Sequence, residues 1–219
     1  MSALTQIRSS HGSVELPWLT GLAVALAILL WAGFGPAPAA LVFDRAAIAS
    51  GEVWRLLTGH LVHSDAGHAL WDIGALAIIG WLMEAQGRRR MLLAALVGVV
   101  AVDVCLWWAM PGLEFYCGLS GLLNTLFVVA LAGLWKAHRH PVFPLAALVL
   151  GVKLVAEIVA GQSLVVSTAW PSVPLTHLAG SLGGLCCWAM AATWNRRRRR
   201  DVEGRGLPSF HENDEKAVE

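Results

Sequence analysis

Charge is scarce in this chain. Of its 219 residues only 14% are Asp, Glu, Lys or Arg, against about 25% in an ordinary soluble domain. With a net charge of +1, that shortage excludes a disordered polyelectrolyte and a basic nucleic-acid binder. Cysteine is sparse too. Cys105, Cys117, Cys186 and Cys187 form no CxxC pair, which excludes a disulfide-stapled secreted domain and leaves small apolar packing as their expected role. No HExxH zinc motif occurs. No repeat of convincing period occurs either, so the inverted-repeat transporter plan has no support. A single Tyr stands beside eleven Trp, and Trp favours the membrane–water interface.

Apolar surface is what the chain has in excess. Hydrophobic residues make up 57% of it and the mean hydropathy is +0.61, too much for one soluble core of this size. Six apolar runs stand out: Trp18–Phe34, Ala66–Met83, Met91–Met110, Cys117–Trp135, Phe143–Ala160 and Pro174–Trp194. Each has the length of a bilayer-spanning helix, and helix is the only form that satisfies its own backbone in hydrocarbon. The expected fold is therefore all-α, a polytopic six-helix membrane bundle. Segment 1–17 is expected to be cytosolic, 18–194 to form the membrane domain, and 195–219 to be a basic, then mixed-charge, disordered tail.

Orientation follows from Lys and Arg. Arg88, Arg89 and Arg90 follow run two, Lys136 and Arg139 follow run four, and Arg196–Arg200 follow run six, whereas segments 111–116 and 161–173 hold neither residue type. Both termini are thus expected in the cytosol. Arg45 and Arg55, in the first outer loop (35–65), break the pattern. The weakly basic start lacks a small-residue cleavage site after run one, so that run is expected to be a retained helix and not a signal peptide. The terminal Arg run suits anionic lipid headgroups.

Ionisable groups inside spans are costly and mark function. Here they are His68, Asp72, Asp103, Lys153, Glu157 and His177, with Ser120 and Asn124 adding uncharged polarity. Counting from Glu84, Lys136 and Trp194 at a rise of about 1.5 Å per residue, His68, Ser120 and His177 lie about 24, 24 and 25 Å above the inner boundary. Three polar residues on three helices converge on one level, just below the outer surface. Asp72 and Asn124 lie one turn deeper on the faces of His68 and Ser120.

Ser120 sits in Gly118-Leu119-Ser120-Gly121. Flanking glycines allow a sharp bend and close approach where loop becomes helix. Free N–H groups at a helix start favour developing negative charge, as an oxyanion hole requires. A Ser hydroxyl needs a base to become a nucleophile, and His177 is at the right depth. Gly180 and Gly184 let the sixth span pack tightly, most simply against the Gly-bearing fourth.

These residues carry a family resemblance. Gly118-Leu119-Ser120-Gly121 resembles the GxSG motif of the rhomboid intramembrane serine proteases. His177-Leu178-Ala179-Gly180 with Gly184 resembles their AHxxGxxxG motif, with Thr176 where Ala is usual. Trp54-Arg55 resembles the WR pair of the first loop, and His60, His63 and His68 the histidine-rich entry to span two. The likeness covers about residues 50–190. Tyr116-Cys117 before the Ser motif, and Lys153 with Glu157, look most like the rhombosortase branch.

The resemblance implies a Ser–His dyad, with Ser120 as nucleophile and His177 as general base, and no metal or cofactor. It implies a bacterial inner-membrane enzyme with its site toward the periplasm. The implied substrates are exported proteins whose carboxy-terminal anchor carries Gly-Gly, a hydrophobic helix and a basic tail. Such an anchor would be hydrolysed or transferred to a new amine. His68 is implied as an oxyanion donor, but the family's HxxxN reads His68-Ala69-Leu70-Trp71-Asp72 here. Asp72 has three open readings: it orients His68 or keeps it cationic, it donates as a neutral acid, or it only packs. Asn124 either bonds the His177 ring, as Asn does in Cys–His–Asn proteases, or ties helices together.

Lys153 and Glu157 read as a self-neutralising i, i+4 pair or as a gating and substrate-reading element. Asp103 is expected to partner another helix, Trp54 and Arg55 to brace the first loop, and His60 and His63 to be interfacial. The competing classes are a rhomboid-like pseudoprotease that acts as a membrane-protein chaperone, a metalloprotease on His60, His63, His68 and Asp72, and a channel or transporter.

Overall fold

In a computed structural model of the protein, residues 16–164 and 168–204 are described. Most of the expected cytosolic amino-terminal segment, and the tail from 205 onward, lie outside the described residues. The chain is a multi-pass membrane protein built almost wholly of helix. Its elements are α1 (Trp18–Phe34), β1 (Phe43–Asp44), α2 (Arg45–Ala49), α3 (Arg55–Thr58), α4 (Ala66–Ala85), α5 (Arg88–Val104), β2 (Phe115–Tyr116), α6 (Ser120–His138), α7 (Val142–Ala160) and α8 (Pro174–Gly204). A π-helical turn, Cys105–Ala109, extends α5. Five of these helices are long and apolar enough to cross a membrane, and α1 is an apolar helix of 17 residues. The six expected runs are thus six helices, with ends shifted by a few residues. The last continues past Trp194 through the Arg run to Gly204, so helix persists where the tail was expected to be disordered.

Helix α6 is the hub. It packs against α4, α5, α7 and α8, and most extensively against α8. Its span is 44% buried, whereas that of α7 is 11% buried, so α7 is the most peripheral of the five. Lipid tails are as apolar as Leu, so helix association in a membrane depends on close packing and hydrogen bonds. The α6–α8 contact fits that rule. A Cβ on Gly180 would collide with the Gly121 carbonyl oxygen, and Thr125 Oγ1 donates to the Gly180 carbonyl at 2.7 Å. Leu119, Leu122, Leu123 and Leu126 join Leu76 and Met83 of α4 and Met91 of α5 in the main core cluster.

At the end of the bundle away from Ser120, Glu84 of α4 caps α1. It accepts Leu19 N–H at 3.2 Å, Thr20 N–H at 2.8 Å and the Thr20 hydroxyl at 2.8 Å. A carboxylate at a helix amino terminus suits the dipole, and α1 has no side-chain cap of its own.

The loops at the Ser120 end of the bundle are folded structure. β1 pairs antiparallel with β2, Phe43 opposite Tyr116, joining the first outer loop to the approach to Ser120. The two arginines that break the charge rule are consumed here. Arg45 donates to the carbonyls of Leu113, Trp107 and Met110 at 3.0, 3.2 and 2.9 Å, closing the carboxy-terminal end of α5. Arg55 donates to Ala39 and Val42 carbonyls at 2.6 and 3.0 Å and to Glu52 at 2.7 Å. Trp54 Nε1 donates to the Ala40 carbonyl at 3.2 Å, so the WR pair braces the first loop.

Candidate active site

Helix α6 starts at Ser120 itself, with no side-chain cap on its first turn. The segment leading into it is held from several directions. Gly118 N–H donates to the Gly59 carbonyl at 3.0 Å, Tyr116 Oη donates to the Gly118 carbonyl at 3.1 Å, and Leu119 N–H donates to Asp72 Oδ2 at 2.8 Å. Gly118 has φ +127°, and a Cβ there would sit 2.6 Å from His68 Nε2. Both the bend and the close approach of the His68 ring therefore require glycine at this position.

From α8, His177 places Nε2 2.9 Å from Ser120 Oγ. The pair opens into a cavity of about 320 Å³, also lined by His68, Asp72, Asn124 and Lys153. Thr176, the departure from the usual Ala, is buried and donates its hydroxyl to the Val173 carbonyl at 2.7 Å, fixing the turn into α8.

His177 Nδ1 lies 2.9 Å from Glu157 Oε2 on α7. The same oxygen accepts Lys153 Nζ at 2.8 Å. Glu157 Oε1 accepts the Ser163 hydroxyl and Leu164 N–H, each at 3.2 Å. The expected self-neutralising Lys153–Glu157 pair is therefore present but is half of a larger arrangement. Sequence reasoning placed no residue behind His177 except Asn124, and Asn124 is elsewhere. Its Nδ2 donates to the Ser120 carbonyl at 2.7 Å, one turn back on its own helix. The overlooked signal was depth. Counted from Val142 at the foot of α7, Glu157 lies about 22 Å up, level with Ser120 and His177.

On the other side of Ser120, His68 Nε2 lies 3.3 Å from Asp72 Oδ2 and Nδ1 lies 3.1 Å from Ser64 Oγ. The Ser64 hydroxyl gives its hydrogen to Asp65 Oδ2 at 2.8 Å. Asp65 also caps α4, accepting His68 N–H at 2.9 Å, and accepts Ala169 N–H at 2.8 Å, which ties the loop between α7 and α8 to the start of α4. Burial alone would raise the Asp65 pKa, but the Ala169 and His68 amides and the Ser64 hydroxyl outweigh it and hold the carboxyl below its ordinary value.

His60 and His63 are not interfacial. Both are buried, because the segment between α3 and α4 folds back into the bundle. His60 Nε2 meets Asp103 Oδ1 at 3.2 Å, which gives Asp103 its partner, and His63 Nε2 lies 3.5 Å from Asp72 Oδ2. The three histidines of the candidate metal set are thus divided between Asp103 and Asp72. Cys117 is buried, and burial with Asp72 and Asp65 nearby pushes its pKa up to about 12, so it is a neutral thiol.

The membrane bundle thus brings a serine and a histidine into hydrogen-bond contact near one end of its central helices. A family model described as Rhomboid domain matches residues 50–194, well over half of the chain. The chain belongs to the rhomboid family, whose members are generally intramembrane serine proteases. No curated protein matches it.

Proposed function

We propose that the protein is an intramembrane serine endopeptidase in which Ser120 is the nucleophile and His177 the general base. The observation that carries this reading is the 2.9 Å contact between Ser120 Oγ and His177 Nε2 at a largely apolar cavity of about 320 Å³. Ser120 Oγ attacks the scissile carbonyl as its proton passes to His177 Nε2. The leaving amine takes that proton, and water then releases the acyl group from Ser120. The oxyanion meets the leading N–H groups of α6 and His68. The Asp72–His68 contact supports the reading in which Asp72 orients His68, and Gly118 and Gly121 keep the Ser120 turn tight.

The substrates on this reading are exported proteins with a Gly-Gly site before a carboxy-terminal hydrophobic helix and basic tail, as in the rhombosortase branch. Small residues weaken a helix and let its peptide bond enter the site. The enzyme would lie in the bacterial inner membrane with both termini cytosolic and the cavity toward the periplasm. The Arg and Lys clusters that follow α4, α6 and the apolar part of α8 support this orientation. Release by water and transfer to another amine are both compatible with the site.

One observation favours the chaperone-like alternative: the Asp72 carboxylate occupies both Leu119 N–H and the His68 ring beside the site of the oxyanion. A Gly-Gly-anchored reporter co-expressed with the wild type, Ser120→Ala and His177→Ala separates the two readings. Processing lost in both variants supports the protease; processing unchanged in either one sinks it. Mass measurement of the released carboxy terminus distinguishes hydrolysis from transfer.

A further inference from the structure

Glu157 has no task in the reading above, yet it is the most completely engaged side chain near the site. It is 0% exposed. One oxygen contacts His177 Nδ1 and Lys153 Nζ, and the other accepts from Ser163 and Leu164. These bonds come from α7, from α8 and from the loop after α7, so the carboxylate cannot rotate without breaking several of them.

We propose that Glu157 is a positioning residue that turns the Ser120–His177 pair into a Ser–His–Glu relay, with Lys153 as the counter-ion that keeps the carboxylate charged in an apolar wall. This rests on the serine-protease reading and deepens it. A carboxylate at Nδ1 holds the imidazole in the tautomer that carries its hydrogen on Nδ1, leaving the Nε2 lone pair toward the Ser120 hydroxyl. During acylation the Ser120 Oγ–H bond breaks, the proton passes to Nε2, and the imidazolium so formed lies against a fixed negative charge. The Nδ1 hydrogen stays on His177 throughout, and Glu157 is not protonated.

The competing view is that the contact only ties α7, the least buried span, to α8. The two views differ in what an isosteric change does. In Glu157→Gln the shape and the Ser163 and Leu164 bonds can persist, but the amide carries no charge, and its NH₂ would select the wrong tautomer if it faced Nδ1.

The test uses the full-length protein in detergent micelles with a fluorophosphonate probe. Ser120 Oγ forms the bond to phosphorus, fluoride leaves, and the Ser120 proton goes to His177. Wild type should label and Ser120→Ala should not. Glu157→Gln should lower the maximal labelling rate about 100-fold or more, with the probe's half-saturating concentration within about threefold and the thermal midpoint within about 2 °C. Glu157→Asp should recover part of that rate.

A Glu157→Gln rate within about threefold of wild type overturns the role. So does a loss seen only as weaker probe binding, or one matched by a fall in thermal midpoint. If Glu157→Gln does not fold, Glu157→Asp decides: a rate about tenfold lower at unchanged half-saturation supports the relay, and an unchanged rate or weaker binding overturns it. Labelling that is absent from the wild type, or that survives Ser120→Ala, sinks the serine-protease reading and the relay with it. Ser120-dependent labelling untouched by Glu157→Gln sinks the relay alone.

Discussion

Two carboxylate–imidazole pairs flank Ser120, and they face it differently. His177 has Glu157 at Nδ1 and the Ser120 hydroxyl at Nε2. His68 has Asp72 at Nε2 and Ser64 Oγ at Nδ1, and the Ser64 hydrogen is already given to Asp65. A ring nitrogen that faces a hydroxyl can receive its proton, whereas one that faces a carboxylate donates to it. On the proposed reading, the same two residue types serve a base on one side and an oxyanion donor on the other. What separates them is the neighbour at each ring nitrogen.

The sharpest way to break this comparison is to remove each ring in turn. His177→Ala should cost on the order of 10⁴–10⁶-fold in turnover, as loss of a catalytic base does. His68→Ala should cost about 10²–10³-fold, as loss of one oxyanion donor does. Turnover of the anchored reporter in proteoliposomes measures both, and equal losses in folded protein would mean that the rings do not divide the work this way.

Gly118→Ala should resemble the His68 lesion. The new Cβ would overlap His68 Nε2 in a backbone region that alanine resists, at about 1–3 kcal/mol. A loss of roughly 10²-fold, with a lowered thermal midpoint, is the expected result. Full activity would show that the position of the His68 ring is unimportant.

Asp72→Asn tests the carboxylate on the donor side. An Asn can still accept Leu119 N–H and hold His68, so activity should stay within about tenfold of wild type. Complete loss would show that the charge of Asp72 matters beyond orientation, and would bring the two sides closer together.

The smallest effect belongs to Cys117, which lines the cavity without belonging to either pair. With its pKa near 12, the thiol stays protonated as pH rises through the neutral range, because a raised pKa leaves the thiolate a minor species until pH approaches that value. Cys117→Ala should retain activity within about twofold. Iodoacetamide should leave folded wild type active at pH 7, and inactivation that Cys117→Ala abolishes would contradict this.

Much of the molecule is legible in the sequence. The six helices followed from run length, because a span is a local property of the chain. Ser120 and His177 stood out because polar residues in apolar runs are few, and simple depth arithmetic put them level. That arithmetic also held the key to Glu157, but its i, i+4 spacing from Lys153 offered a complete local explanation. Arg45 and Arg55 looked like misplaced orienting charges, and only the folded loop reveals the carbonyls that absorb them. His60 and His63 looked interfacial because nothing local shows that the loop bearing them turns inward.

By itself the sequence determined that this chain lives in a membrane as a helical bundle, and which chemical groups it carries at what depth. Tertiary structure alone decided which carboxylate serves which histidine, and that Asn124 serves neither. The physical reason lies in the solvent. Burial in lipid fixes how deep a residue sits but not which way its helix is turned, since hydrocarbon rewards every apolar face alike. Rotation is set by close contacts such as Gly180 on Gly121 and by the loops pinned through Asp65 and β1–β2. Those contacts join residues far apart in the chain, and they decide how each histidine ring is faced.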